Sequence, residues 1–196
     1  SLDKIKQVVA VRDGEIMFGL NMVVHKGKTI FVGDTSVHEY PTSEQMAEIA
    51  ISAARVVRLF GFEPKVAFVS HSTFGQPLTS RTKHIRKAVD ILKEKKVDFE
   101  FDGDMQPDVA LNPEYKELYP FSKLVGNANI LIMPGQHSAA ISYKMMKTLG
   151  DTKVIGPLLI GLGLPVEIAP LRSSTSEIIN LASIAAYSAD VIKYIK

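Results

Sequence analysis

The chain has 196 residues, 46% of them apolar, which is enough to fill a sizeable core and argues against disorder. Its 23 basic and 21 acidic residues leave a net charge of +2 and are spread along the sequence, so nucleic acid is not an expected partner. There is no cysteine, which excludes disulfides, thiolate metal ligands and a cysteine nucleophile and agrees with a reducing compartment.

The opening Ser1-Leu2-Asp3-Lys4 lacks the basic head and apolar run of a secretory signal. Val8 to Val11, Leu20 to Val24 and Thr29 to Val32 are short apolar or β-branched runs. Asp13-Gly14 and His25-Lys26-Gly27-Lys28 separate them, so they read as strands joined by turns. Thr42 and Gln45 have capping-box spacing, and Met46, Ile49, Ala50, Ala53, Val57 and Phe60 then recur at helical intervals before Gly61.

Val66 to Val69 is a continuous apolar run of the kind buried on both faces of a parallel sheet, and it ends in Ser70-His71-Ser72-Thr73-Phe74-Gly75. A basic helix is expected from Thr79 to Lys96, then a strand from Asp98 to Phe101 that ends in Asp102-Gly103-Asp104. Asn129 to Met133 is a further buried-type strand ending at Pro134-Gly135. A helix from Ser138 to Leu149 follows, with Gly150 as its cap. Val154 to Ile160 and Pro165 to Ile168 read as strands, and the longest uncharged apolar stretch, Val154 to Val166, falls short of the roughly 20 residues of a membrane span. Ser174 and Glu177 form a second capping box before a helix from Ile178 to Ile195.

Strands alternating with helices predict a three-layer α/β/α fold with a largely parallel or mixed sheet, in which ligands gather beyond the carboxyl ends of the strands. The dinucleotide glycine fingerprint, the Walker loop, the His-Glu-x-x-His zinc motif and the Gly-x-Ser-x-Gly elbow are absent from the sequence. Asp102, Asp104 and Asp108 are expected in turn and cap roles, with no metal.

The segment from Val66 to Gly75 resembles the phosphotransacetylase segment Val-Ala-Met-Leu-Ser-Tyr-Ser-Thr, and further matches follow in family order. These are Gly33-Asp34 leading to Pro41-Thr42, then Asp102-Gly103-Asp104-x-Gln106-x-Asp108 and Ala128 to Pro134, then Ile141-Ser142-Tyr143-Lys144 and Gly156-Pro157-Leu158-Leu159. The resemblance to the phosphate acetyl/butyryltransferase family implies an isocitrate/isopropylmalate dehydrogenase-like fold. Residues 1–168 would be the second α/β domain of the unit, and residues 169–196 a loop and helix packing on a first domain absent from this chain. Ser-His-Ser followed by Phe-Gly looks like the version fused to the back of NADP-dependent malic enzymes. That version implies an acetyl-CoA-binding regulatory segment, a malic enzyme partner domain, a homodimer and a cytoplasmic location.

In active transferases of the family a Ser-Arg-Gly loop serves the acyl oxygen, and an Asp beyond it is the proposed base. Here Pro170, Leu171 and Arg172 stand at those loop positions, and Glu177 replaces the Asp. Arg172 and Glu177 are therefore the catalytic candidates, as a displaced cation and base, and a misplacement of about 1 Å costs on the order of a hundredfold in rate. The structural alternative for Ser174 and Glu177 is the capping box alone. Expected contacts to coenzyme A or acetyl-CoA are Ser72, Thr73, Gly75, Pro134, Gly135, Tyr143, Lys144, Ser173 and Ser174. A working phosphate acetyltransferase and a purely structural dimerisation domain are the rival readings.

Overall fold

The computed structural model describes residues 2–194, apart from the side chains of residues 116 and 190–194. Helix α1 (Leu2–Val8) leads to the hairpin of β1 (Phe18–His25) and β2 (Lys28–Gly33). His25 pairs with Lys28, and the two residues between them, Lys26 and Gly27, have φ of 47° and 76°. Positive φ at both centres is the tight turn whose twist suits an antiparallel hairpin.

Helix α2 (Ser43–Leu59) starts at Thr42, whose hydroxyl accepts from Gln45 N at 3.1 Å while Gln45 Oε1 accepts from Thr42 N at 2.8 Å. Strand β3 (Lys65–Val69), helix α3 (Ser80–Lys95) and strand β4 (Glu100–Met105) follow. A short helix α4 (Pro107–Leu111) and a 3-10 turn (Pro113–Leu118) come next. The chain closes with β5 (Ile130–Ile132), α5 (Gln136–Leu149), β6 (Thr152–Ile160), β7 (Val166–Glu167) and α6 (Thr175–Tyr194). The last residue of the helix expected from the sequence, Ile195, lies outside the described residues.

The sheet order is β4-β3-β5-β2-β1-β6-β7. Neighbours from β4 to β2 pair parallel, and β1 runs antiparallel to both β2 and β6, which makes the sheet mixed. The apolar run of β3 serves two cores at once. Val66 and Phe68 pack with Met46, Ile49, Ile85 and Leu92 of α2 and α3, and Ala67 and Val69 pack with Val109 and Ala110 of α4 and Ala139 of α5. Burial on both faces explains why the strand shows no polar alternation. Each large side chain sealed this way contributes about 1.5–3 kcal/mol.

Two elements differ from expectation. Val8 to Val11 is not a strand: Leu2, Ile5 and Val9 recur at helical spacing and pack on Met17, Leu159 and Leu162, leaving Val11 a single bridge to Leu162. Asp102-Gly103-Asp104 is not a turn after β4 but lies within it, and both carboxylates are buried there.

Candidate functional site

After β3 the chain continues through α3 to β4 on one side, whereas β5 continues through α5 to β6 on the other, and β3 and β5 are direct neighbours. That divergence puts the topological switch point at the carboxyl ends of β3 and β5, the place where open α/β sheets hold ligands in a crevice. Ser70 to Gly75 follows the end of β3 and Pro134-Gly135 follows the end of β5, so five of the residues expected from the sequence, Ser72, Thr73, Gly75, Pro134 and Gly135, lie beyond the carboxyl ends of two adjacent strands.

The first of these segments is held to the end of β4. Ser70 N donates to Met105 O at 2.9 Å and Phe74 N to Asp104 O at 2.7 Å. Gln106 adds two bonds: its amide N donates to Thr73 Oγ1 at 3.2 Å and its Nε2 to His71 O at 2.8 Å. The anchor is Asp104, 0% exposed, whose Oδ2 accepts from Ser72 Oγ at 2.5 Å and from Gly75 N at 3.4 Å. Its other oxygen has no partner among the described residues. Gly75 has φ +79°, and a Cβ there would stand 2.6 Å from Arg86 Nη1, which itself donates to Phe74 O at 3.0 Å. The conformation favours glycine, and a larger residue would also have to displace the Arg86 guanidinium.

Two anchoring aspartates escaped the sequence reading. Asp104 was expected in a turn. Asp34, at the end of β2, accepts from the amides of Gly19, Ser36, Val37 and His38 at 2.7–3.1 Å, and from His38 Nδ1 at 2.7 Å. Asp34 follows directly on the glycine that ends β2, and that position was the available signal. Asp102 likewise accepts from Lys123 N at 2.7 Å and Ser122 Oγ at 3.0 Å, tying the 119–125 segment to the edge of β4.

The remaining candidates gather elsewhere. Tyr143 of α5, Pro157 of β6 and Ser173 and Glu177 at the start of α6 line a cavity of about 60 Å³, together with Lys147. Glu177 Oε1 accepts from Lys147 Nζ at 2.8 Å, and its Oε2 accepts from Ser174 N at 2.7 Å and Ser174 Oγ at 3.0 Å. Ser174 Oγ in turn accepts from Glu177 N at 3.2 Å, so the reciprocal capping box is complete. The Lys147 bond, followed by the Ser174 bonds, pulls the Glu177 carboxyl down to about 2. Arg172 and Lys144 are exposed, Leu171 stands wholly in solvent, and Lys144 Nζ lies 5.9 Å over the Tyr143 ring. Among the described residues no group of three or more His, Asp or Glu side chains is arranged to hold a metal, and no helix is long and apolar enough to cross a membrane.

A mixed sheet covered by helices on both faces, with polar strand ends at a switch point, places the chain among the α/β proteins that hold ligands beyond their strand ends. The family model described as "Phosphate acetyl/butaryl transferase" matches residues 1–186, and the chain belongs to that family. It is 46% identical over 189 residues to an NADP-dependent malic enzyme of Rhizobium meliloti (strain 1021), covering 96% of this chain and 25% of that one. It is 32% identical to a phosphate acetyltransferase of Bacillus subtilis (strain 168), covering 93% of this chain and 57% of that one. The crystal structure of a phosphotransacetylase from Streptococcus pyogenes superposes with a TM-score of 0.89 at 30% identity, covering 96% of this chain and 58% of the other. The chain therefore spans about a quarter of the malic enzyme's length and a little over half of a phosphotransacetylase.

Proposed function

We propose that this chain is an acetyl-CoA-binding, phosphotransacetylase-like regulatory domain of an NADP-dependent malic enzyme, one that holds the ligand without efficient acyl transfer. Moving an acetyl group between coenzyme A and phosphate requires a base for a thiol of pKa about 8.5 and a cation for the developing oxyanion. The observation that carries the reading is Glu177. Its two oxygens are committed to Lys147 and to the cap, and a carboxyl held down to about 2 is a poor proton acceptor. Leu171, fully exposed where active relatives carry arginine, supports the same conclusion.

Binding has a better footing than transfer. The hydroxyls of Ser70 and Thr73 are the neutral polar groups available beside a loop that Asp104 fixes through Ser72 and Gly75. Such a surface suits the amides of a pantetheine arm, while Lys144 and Arg172 are the cations available for phosphates. Ile178, Ile179 and Tyr187 on α6 are about half exposed, which supports packing of a further domain on this helix. Ile141, Met145 and Leu149 form an exposed apolar row along α5 that supports a homodimer. A cytoplasmic location agrees with the cysteine-free sequence.

Calorimetric titration with acetyl-CoA, run beside an assay for acetyl-CoA formation from acetyl phosphate, tests the reading on this chain and on the longer chain it belongs to. Binding without turnover is the expected result. Turnover at ordinary enzyme rates, roughly 1–1000 per second, would establish a working acetyltransferase instead. Absence of both in the longer chain would leave a structural domain.

A further inference from the structure

β4 is the outermost strand of the sheet, with β3 between it and β5, and a cleft of about 290 Å³ opens along it. Asp102 and Gly103 of β4 line this cleft, as do the rings of Phe74 and Phe121. The two ring centroids are 4.8 Å apart in an edge-on arrangement, and Tyr119 packs on both rings at 5.4 and 6.1 Å. Phe121 is 64% exposed even so, and its free surface is available to a ligand.

Five charged side chains line the cleft: Arg86, Asp90 and Lys93 on α3, Asp102 on β4, and Lys123 beyond it. Three are positive and two negative, so the lining carries a net charge of +1. Both carboxylates are occupied. Asp102 Oδ1 accepts from Gly103 N at 2.9 Å, and its Oδ2 accepts from Lys123 N at 2.7 Å and Ser122 Oγ at 3.0 Å. Asp90 Oδ1 accepts from Lys93 Nζ at 2.8 Å. Two cations are left over. Lys123 Nζ has no hydrogen bond or ion pair among the described residues, and Arg86 uses one nitrogen, Nη1, which donates to Phe74 O at 3.0 Å. That single bond fixes the guanidinium and leaves its other donors free.

We infer that this cleft binds a phosphate monoester carrying a flat apolar group, with the phosphate between Arg86 and Lys123 and the apolar group against Phe121. The charge count selects an anion, because the lining is net positive and neither carboxylate has room for a further cation. A phosphate monoester carries roughly −1.5 to −2 at neutral pH and three strong acceptor oxygens, enough to offset the excess charge and to take the unused donors of both cations. Arginine's planar fork favours a phosphate over a single-point acceptor. The ring of Phe121, braced by Phe74 and Tyr119, supplies a firm surface for an apolar or aromatic body. The inference does not rest on acetyl-CoA binding, whose expected contacts lie beyond the ends of β3 and β5.

The test is amide-resonance NMR of this chain titrated with phenyl phosphate, inorganic phosphate and benzyl alcohol, on the parent, on Lys123→Gln and on Phe121→Ala. The expected result is saturable shifts at Gly103, Phe121 and Lys123, with phenyl phosphate binding at least about tenfold more tightly than either inorganic phosphate or benzyl alcohol. K123Q should weaken phenyl phosphate by at least about fivefold, and F121A should bring its affinity down to that of inorganic phosphate. Phosphorus NMR of phenyl phosphate, broadened by the parent chain and sharpened again by salt, is a readout that needs no variant. Equal affinity for the ester and inorganic phosphate, equal affinity for the ester and the alcohol, or an unaffected K123Q would overturn the inference. A repeat with saturating acetyl-CoA should leave the phenyl phosphate shifts in place. Displacement would make the cleft part of the acetyl-CoA site and overturn the inference of a separate one.

Discussion

The β3–β5 crevice and the Pro170–Glu177 segment were both expected to carry function, and they are built to opposite standards. In the Ser70–Gly75 segment, Ser72 and Thr73 are buried, the Ser70 and Phe74 amides are tied to β4, and one carboxylate orients the loop. In the Pro170–Glu177 segment, Leu171 and Arg172 stand in solvent, and the carboxylate is occupied by a cap and an ion pair. A group that must meet a reacting atom needs a fixed supporting shell, and only the first region has one. The contrast is what the proposed reading, binding without efficient transfer, rests on.

The sharpest test of that contrast is Ser72→Ala. It removes the 2.5 Å bond to Asp104 and leaves a buried carboxylate whose nearest remaining donor is Gly75 N at 3.4 Å. A loss of about 2–3 kcal/mol is expected, read as a lower midpoint in urea unfolding, together with weaker acetyl-CoA binding. A tolerated Ser72→Ala would show that the crevice wall is no better fixed than the exposed segment.

Glu167→Gln probes the packing of the sheet edge next to α6. The carboxyl ordinarily titrates at 4.5 and is raised to about 8 in the fold, so its stabilising neutral form is fully present below pH 4.5 and is progressively lost up to pH 8. The variant should match the parent at pH 4 and exceed it by about 2–4 kcal/mol at pH 9, measured by unfolding at both pH values. Equal stability at pH 9 would mean the carboxyl has found a partner. Smaller again is Ser174→Ala, which removes an N-cap and should cost about 1 kcal/mol, seen as faster amide exchange in the first turn of α6.

The sequence announced the elements of the sheet's centre because burial on both faces leaves uninterrupted runs such as Val66 to Val69, and the caps at Thr42 and Ser174 because they are local. The helix at Leu2–Val8 was hidden because its apolar stripe of Leu2, Ile5 and Val9 overlaps the β-branched run Val8 to Val11. That Ser72 and Pro134-Gly135 follow the ends of strands could be read from the order of apolar runs and polar clusters. The bond from Ser72 to Asp104 spans 32 residues and depends on β3 pairing parallel with β4, which no local pattern encodes. For the same reason Glu167, in a strand of only two residues, could not be recognised as having one carboxylate oxygen sealed from solvent.

The smallest effect, and the most discriminating, belongs to Glu177→Gln. The side chain is exposed enough for water to screen the Lys147 pair, so its removal should move the unfolding midpoint only slightly at neutral pH, and less still in high salt. The sign with pH is fixed: a carboxyl held down to about 2 contributes stability above its ordinary value of 4.5, and that contribution disappears as pH falls toward 2. Parent and variant should therefore converge in acid. Acetyl-CoA affinity measured by calorimetry should be unchanged, since the Glu177 carboxylate already has partners on both oxygens and none of them belongs to the crevice wall. A tenfold fall in affinity would join the two regions into one site.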